Sequence, residues 1–295
     1  MKILITGVTD THVNDPNRAS STKFVSIPEL MAKGYKLQGH TVEHRALRVN
    51  EDISAFDKVF IYLYPYDKHA RHVENGINAL NRRPDAYICL DDWAFQHIIP
   101  TWKNIIDVGA LTERTWVAPL FPWGNAKKMS LPVENILTWD PSPLYEMPPV
   151  HQRVWQQRQK AWYNASLSKD SHLWAEEQNL TWPIKSVGGK ALGQPRILES
   201  DVVWEYGNYI GVLCPTYDHA GCGWWRIRYL HAMAAGCILG GDPKELKAAG
   251  GAFSFTLKEL ESMTTEELKL VASLQAKTFK YAALQDTTNK LESFL

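Results

Sequence analysis

From Gly221 to Pro243 the chain reads GCGWWRIRYLHAMAAGCILGGDP. Two tryptophans lead into Arg226 and Arg228; a run of small and apolar residues follows, then an apolar stretch ending in Gly-Gly-Asp. The pattern predicts a helix followed by a buried strand, half of a strand–helix–strand unit. Cations at the start of a helix are disfavoured by its dipole unless an anion sits there too. A diphosphate supplies that anion, and arginine grips phosphate oxygens in bidentate fashion. His231 lies three residues after Arg228, on the same helical face, where it can hydrogen-bond a ribose hydroxyl. In the competing reading, the arginine stems cover apolar surface and their heads sit in water. Ala234, Ala235 and Gly236 favour close approach of this helix to a sheet.

Working outward, the upstream YIGVLCPT is a strand, and Val202 to Tyr206 a short helix before it. Earlier still, AWYNASL and TWPIKSVGG read as strands flanking the helix SKDSHLWAEEQN, and a helix is expected over 152–159. Downstream, TLKELESM and TTEELKLVASLQAKTFKYAALQ read as closing helices, the second with Thr264 and Glu267 at capping-box spacing. The first half repeats the theme. Lys2 to Thr6, HTVEHRAL, FDKVFIYLYP and AYICLDD are strands, with helices over 22–36 and 72–81. FDKVFIYLYP is apolar throughout and should be buried on both faces. Residues 101–149 look irregular, and SPLYEMPPV marks a seam. The expected class is α/β, with a first domain over 1–150, a second over 151–275, and a helix over 276–295 packing back on the first. Ligands of open α/β sheets bind beyond the carboxyl ends of the strands, so the strand ends are where chemistry is sought.

Composition bounds the function. The 295 residues suit two domains and are 45% hydrophobic and 22% charged, a globular balance. No apolar run reaches the ~20 residues of a membrane span. MKILITG lacks the zones of a signal peptide, so a cytoplasmic protein is expected; a monomer is expected as well. Thirty-two basic and 32 acidic residues cancel, whereas nucleic-acid binders are usually basic. Four scattered cysteines and the lack of an HExxH argue against a zinc or disulfide framework.

Three further clusters carry candidate chemistry. Asp91 and Asp92 end an apolar strand; neighbours on a strand point to opposite faces, so one of them can act as general base on a hydroxyl acceptor. Ser166, Ser168 and Lys169 stand where a strand gives way to a helix, whose first N–H groups favour an anion. Tyr217, in the turn after YIGVLCPT, joins Arg226, Arg228 and His231 as a donor-site candidate. Neither a GxGxxG nor a P-loop is present. Lys68, Arg71, Arg82, Arg83, Lys127 and Lys128 are local basic groups that suit phosphate, each also readable as a solvated face. Trp93, Phe95 and Trp123 suit base stacking or core packing. There is no Asp-x-Asp, which favours a metal-independent donor site neutralised by cations and helix N-termini.

These features together resemble the GT-B glycosyltransferases, two facing Rossmann-like domains around a central cleft. More narrowly they resemble the bacteriophage DNA glucosyltransferases that modify 5-hydroxymethylcytosine. AYICLDD is similar to that family's strand ending in the catalytic aspartate, with Asp92 matching better than Asp91. In YNASLSK, Ser166 matches the family's serine, Ser168 falls where it has an arginine, and Lys169 stands in. In RYLHAMAAGCIL, Arg228 occupies the diphosphate-binding arginine position, and His231 replaces a ribose-binding glutamate. The resemblance implies inverting transfer of glucose, or a pentose such as arabinose, from a UDP-sugar to duplex DNA. No cofactor is required, although weak stimulation by a divalent cation is compatible. Reaching the base requires flipping it from the stack.

Overall fold

A computed structural model describes residues 1–7, 27–62, 70–89, 114–119, 136–146, 150–151, 153–165, 169–186, 199–214, 227–248, 253–278 and 283–295. Ten strands among them form two wholly parallel sheets. The first comprises β1 (Lys2–Gly7), β2 (Thr41–His44), β3 (Lys58–Tyr62), β4 (Tyr87–Cys89), β5 (Trp116–Pro119) and β6 (Ile136–Trp139), in the order β2-β1-β3-β4-β5-β6. The second comprises β7 (Gln159–Asn164), β8 (Ile184–Ser186), β9 (Tyr209–Cys214) and β10 (Ile238–Gly241), in the order β10-β9-β7-β8. Numbered within its own half, each sheet begins 2-1-3-4, so the two halves share one winding.

Side-chain alternation explains why the first sheet is covered on both faces. Leu4, Val59, Ile61 and Ile88 join α2 (Ala70–Arg82) through Ile77, Ala79 and Leu80. Their neighbours Ile3, Ile5, Phe60 and Tyr62 join α1 (Ile27–Leu37) on the other face. β3 is therefore buried on both sides, as its unbroken apolar run predicts. The second sheet is built alike. Tyr163, Val212 and Leu239 pack with α5 (Ile227–Ala234) and α4 (Glu199–Glu205). Trp162, Leu213 and Ile238 pack with α7 (Leu257–Ser262), α8 (Thr265–Thr278) and Ala175 of α3 (Lys169–Glu177). Glycines make room for Trp162: a Cβ on Gly211 or Gly240 would run into its indole ring.

Helix α5 ends at the small residues of AAGC. Gly236 adopts φ +71°, its N–H reaches Met233 O at 3.0 Å, and the N–H of Cys237 reaches Ala232 O at 2.9 Å. This is a Schellman ending, which needs a residue tolerant of the left-handed region. A short α6 (Pro243–Ala248) follows β10.

Three expectations require correction. In place of a helix over 152–159, a 3-10 turn spans Trp155–Gln157 and β7 starts at Gln159. Arg158 is extended because its guanidinium reaches Ala235 O at 2.6 Å, across the sheet end. Residues 101–149 include β5, β6 and a 3-10 turn at Ser142–Leu144. Those strands are four residues each, too short for periodicity to reveal, and tertiary burial of Trp116 and Trp139 holds them. The closing segment is not one helix: Ala283 is extended at ψ 157° and starts a separate α9 (Leu284–Glu292). That helix packs on α1 and β6 of the first half. Leu291 occupies the space a side chain at Gly34 would need. Tyr35 Oη donates to Leu291 O at 3.0 Å and Tyr87 Oη to Phe294 O at 2.7 Å.

Candidate functional site

The winding fixes where a ligand crevice lies. In the second sheet, β7 proceeds through α3 to β8 on one side, and β9 proceeds through α5 to β10 on the other. Helices α3 and α5 contribute to opposite faces. The switch point is therefore between the carboxyl ends of β7 and β9, at Asn164 and Cys214, where open α/β sheets bind ligands. Two connections open there. One contains Ser166 and Ser168 and leads into α3, whose first residue is Lys169. The other contains Tyr217 and Arg226 and leads into α5, whose second residue is Arg228. Ser166, Ser168, Tyr217 and Arg226 themselves lie outside the described residues, but the two helices that open with Lys169 and Arg228 flank one switch point. In the first sheet the equivalent point lies between β1 and β3. Asp91 and Asp92 follow β4, beside β3, and lie outside the described residues.

At the foot of α3 is a polar cluster that spacing did not reveal. His172, 8% exposed, has its Nδ1 3.1 Å from the Ser186 hydroxyl and 3.4 Å from the Asn164 amide nitrogen, which can only donate. Asn164 and Ser186 are the last residues of β7 and β8. An Nδ1 that accepts puts the ring proton on Nε2. Burial pushes the imidazole below its usual pKa against the opposing pull of Glu176, so the ring is neutral. Nε2 is buried with no hydrogen-bond partner among the described residues. Helical side chains lean toward the N-terminus, which brings this donor to the same end as the first N–H groups of α3. The only sequence hint was Lys169 and His172 three apart on a helix.

His231 has a different surrounding from the one its spacing suggested. It is 3% exposed, and Nε2 lies 2.8 Å from Tyr145 Oη. The ring also meets Tyr145 at 5.7 Å and the edge of Tyr206 at 5.8 Å between centroids. Burial, and then the Arg228 charge, lower its pKa to about 4, so it is neutral at pH 7. The Nε2 position offered to a ribose hydroxyl is taken by a tyrosine of the first half. Arg228 is half-buried on the same helix.

The basic candidates of the first half separate. Arg83 is tied into the fold. Its guanidinium holds both oxygens of Asp85 at 2.9 Å and donates to the carbonyls of Ile53 at 3.0 Å and Phe56 at 2.9 Å. Arg82 is exposed; it donates to the carbonyls of Asn78 at 3.1 Å and Glu51 at 2.9 Å, and its charge is felt by Asp52. Arg71 lies in the first turn of α2. Lys68, Trp93, Phe95, Trp123, Lys127 and Lys128 lie outside the described residues. Cys89, Cys214 and Cys237 are reduced and buried; burial raises the first thiol well above its usual pKa and the last to about 12. Among the described residues no three His, Cys, Asp or Glu side chains gather as a metal site, and no helix is long and apolar enough to cross a membrane.

Two parallel sheets of one winding, each with its switch point at the carboxyl edge, define the GT-B architecture. The solved structures with which the chain aligns are more particular. T4 phage BGT, solved with its UDP-glucose substrate, superposes with a TM-score of 0.60 over 100% of this chain and 97% of that one, at 13% identity. A second structure, of the DNA-modifying enzyme β-glucosyltransferase with and without uridine diphosphoglucose, gives 0.57 over 100% and 97% at 12% identity. An α-glucosyltransferase with UDP and a 13-mer DNA gives 0.50 over 100% and 94% at 12% identity. No protein-family profile matches the chain, and no curated protein matches it in sequence.

Proposed function

We propose that the chain is an inverting glycosyltransferase that moves a sugar from a UDP-sugar to the hydroxymethyl group of 5-hydroxymethylcytosine in phage duplex DNA. The sugar is glucose or a pentose such as arabinose. The observation that carries this reading is the second switch point, where α3 and α5, opening with Lys169 and Arg228, flank one crevice within a fold shared at full length with phage DNA glucosyltransferases.

In this reading the donor diphosphate lies at the N-terminus of α3, with Arg228 and Lys169 supplying positive charge and His172 a neutral N–H donor. Ser166, Ser168, Tyr217 and Arg226 complete the donor shell. Asp92, or else Asp91, takes the proton from the acceptor hydroxyl as its oxygen attacks the anomeric carbon. The bond to the diphosphate breaks on the opposite side, and the charge released to UDP is stabilised by the arginine and the oriented backbone N–H groups. No metal is required for that neutralisation, and a divalent cation stimulates only weakly. The acceptor duplex meets the first half through Lys68, Arg71, Arg82, Lys127 and Lys128, with Trp93 against the flipped base. The protein works as a monomer in the host cytoplasm.

The test is release of UDP from UDP-glucose, UDP-arabinose or UDP-xylose in the presence of a hydroxymethylcytosine duplex. Asp92→Asn and Asp91→Asn should separate, one retaining turnover and the other losing about 10²- to 10⁴-fold. Turnover that survives both changes removes the general base from this strand end. A second reading, transfer to a glycan or small molecule, is favoured by the zero net charge. Transfer to a free sugar acceptor without DNA would select it.

A further inference from the structure

We propose that His231 is a positioning residue that pins helix α5, and with it Arg228, to the first half of the molecule through Tyr145, and that it does not read the donor ribose. This rests on the nucleotide-sugar reading of the crevice beside α5.

Tyr145 is well placed to be the fixed end of such a pin. Its segment begins with Asp140, whose carboxylate accepts from the Ser142 N–H at 2.9 Å and whose carbonyl accepts from Thr287 of α9 at 3.0 Å. Lys33 of α1 donates to Leu144 O at 3.0 Å and pairs with Glu146 at 2.6 Å. The residues on either side of Tyr145 are thus tied to the first sheet's own helices. Tyr145 itself belongs to that half's core cluster, and Leu230, next to His231, packs against the same cluster. From the other side, Tyr206 of the second half meets the His231 ring edge-on. One imidazole is therefore held by aromatic rings from both halves, and a residue three positions earlier on the helix carries the proposed diphosphate charge. A shift of α5 that moved Arg228 toward or away from the crevice would have to break the 2.8 Å contact. The ring meanwhile is nearly closed to solvent, which leaves no face for a sugar hydroxyl to approach at Nε2.

The experiment has a ligand-free arm and a nucleotide arm, each run on wild type, Tyr145→Phe, His231→Ala and the double variant. Without ligand, amide hydrogen exchange across Ile227–Ala234 should quicken about fivefold in each single variant, the scale of one buried hydrogen bond. The double variant should be no faster than the worse single. Unchanged exchange, or effects that multiply, overturns the pin. With ligand, calorimetry compares UDP with 2′-deoxy-UDP. Both single variants should weaken the two nucleotides about equally, about fivefold, leaving their affinity ratio at the wild-type value. His231→Gln, which restores a polar group near Nε2, should recover part of the loss. A ratio that collapses in His231→Ala but survives in Tyr145→Phe assigns the ring to the ribose and overturns the proposal. If wild type binds neither nucleotide, the nucleotide-sugar reading fails, and the exchange arm alone decides the pin. Tyr145→Phe removes a single oxygen, so the test stands even if His231→Ala folds poorly.

Discussion

Arg82 and Arg83 are adjacent and have the same charge, yet the fold uses them differently. Arg83, 16% exposed at its side chain, spends its donors on Asp85 and on two carbonyls roughly thirty residues upstream. Arg83→Ala should cost about 2–3 kcal/mol in urea unfolding, the range for hydrogen bonds to a charged group, with little specific effect on DNA. Arg82→Ala should leave stability within about 0.5 kcal/mol. If the first half does bind duplex DNA, that change should reduce the salt slope of binding by about one. A loss of stability in both variants, or a salt effect from Arg83 alone, would reverse the assignment. Sequence could not separate the pair, because the carbonyls that claim Arg83 have no side-chain identity to read. His231 is the same case. The spacing from Arg228 placed it on the correct helix, but its partner Tyr145 lies 86 residues away.

Elements were more legible than side-chain partners wherever one local rule sufficed. The Thr264–Glu267 spacing is a true capping box: Thr264 N–H reaches the Glu267 carboxylate at 2.7 Å, and Glu267 N–H reaches the threonine oxygen at 3.3 Å. The Gly236 ending obeys an equally local rule, although by sequence Gly236 reads only as letting the helix approach the sheet. The expected helix over 152–159 failed because Arg158 is drawn across the sheet end, a tertiary pull that propensity does not contain. Helix α7 shows how elements are joined. Its Glu261 accepts from Trp162 Nε1 at 2.8 Å, Trp182 N at 2.9 Å, and both Thr181 N at 2.8 Å and Thr181 Oγ1 at 2.7 Å. Burial pushes this carboxyl up, but the four hydrogen bonds outweigh it and the net pKa is lowered. Its contribution is therefore complete above the ordinary value of 4.5 and fades as pH falls through the lower folded value. Glu261→Gln should cost about 2 kcal/mol at pH 7, and the gap from wild type should narrow in unfolding curves taken below about pH 4. A gap that stays constant into acid would show that the charge is not what the indole and the turn recognise.

Across the whole molecule, the repeated strand–helix order made the two-sheet class readable, and the seam near residue 150 separated the runs. The shared 2-1-3-4 winding was not readable, since strand order depends on which edges pair. The candidate site divides in the same way: Arg228 and Lys169 stand out by charge at helix starts, while His172 is picked out only by β7 and β8 lying side by side. Helix α9 closes the structure by covering α1 and β6. Tyr35→Phe removes one of two donors to the Leu291 carbonyl, the Phe294 N–H at 3.0 Å remaining, and should cost about 1 kcal/mol. Tyr87→Phe acts on Phe294 at the same end and should be smaller, because Tyr87 is only part-buried. Both changes should speed amide exchange in α9 before any in the second sheet; simultaneous loosening everywhere would mean that the halves unfold as one.

The covering role of α9 also bears on how a newly made chain matures. Synthesis runs from the first residue, and domains generally fold in that order as they emerge. Here the first half emerges early yet cannot finish, since Tyr35, Trp139 and Leu144 share a cluster with Leu291 and Phe294, made almost 150 positions after Leu144. Until then that apolar face has no lid and is available to chaperones or to another nascent chain. The second half's core elements end near residue 278, so the segment that covers the first half is made after both.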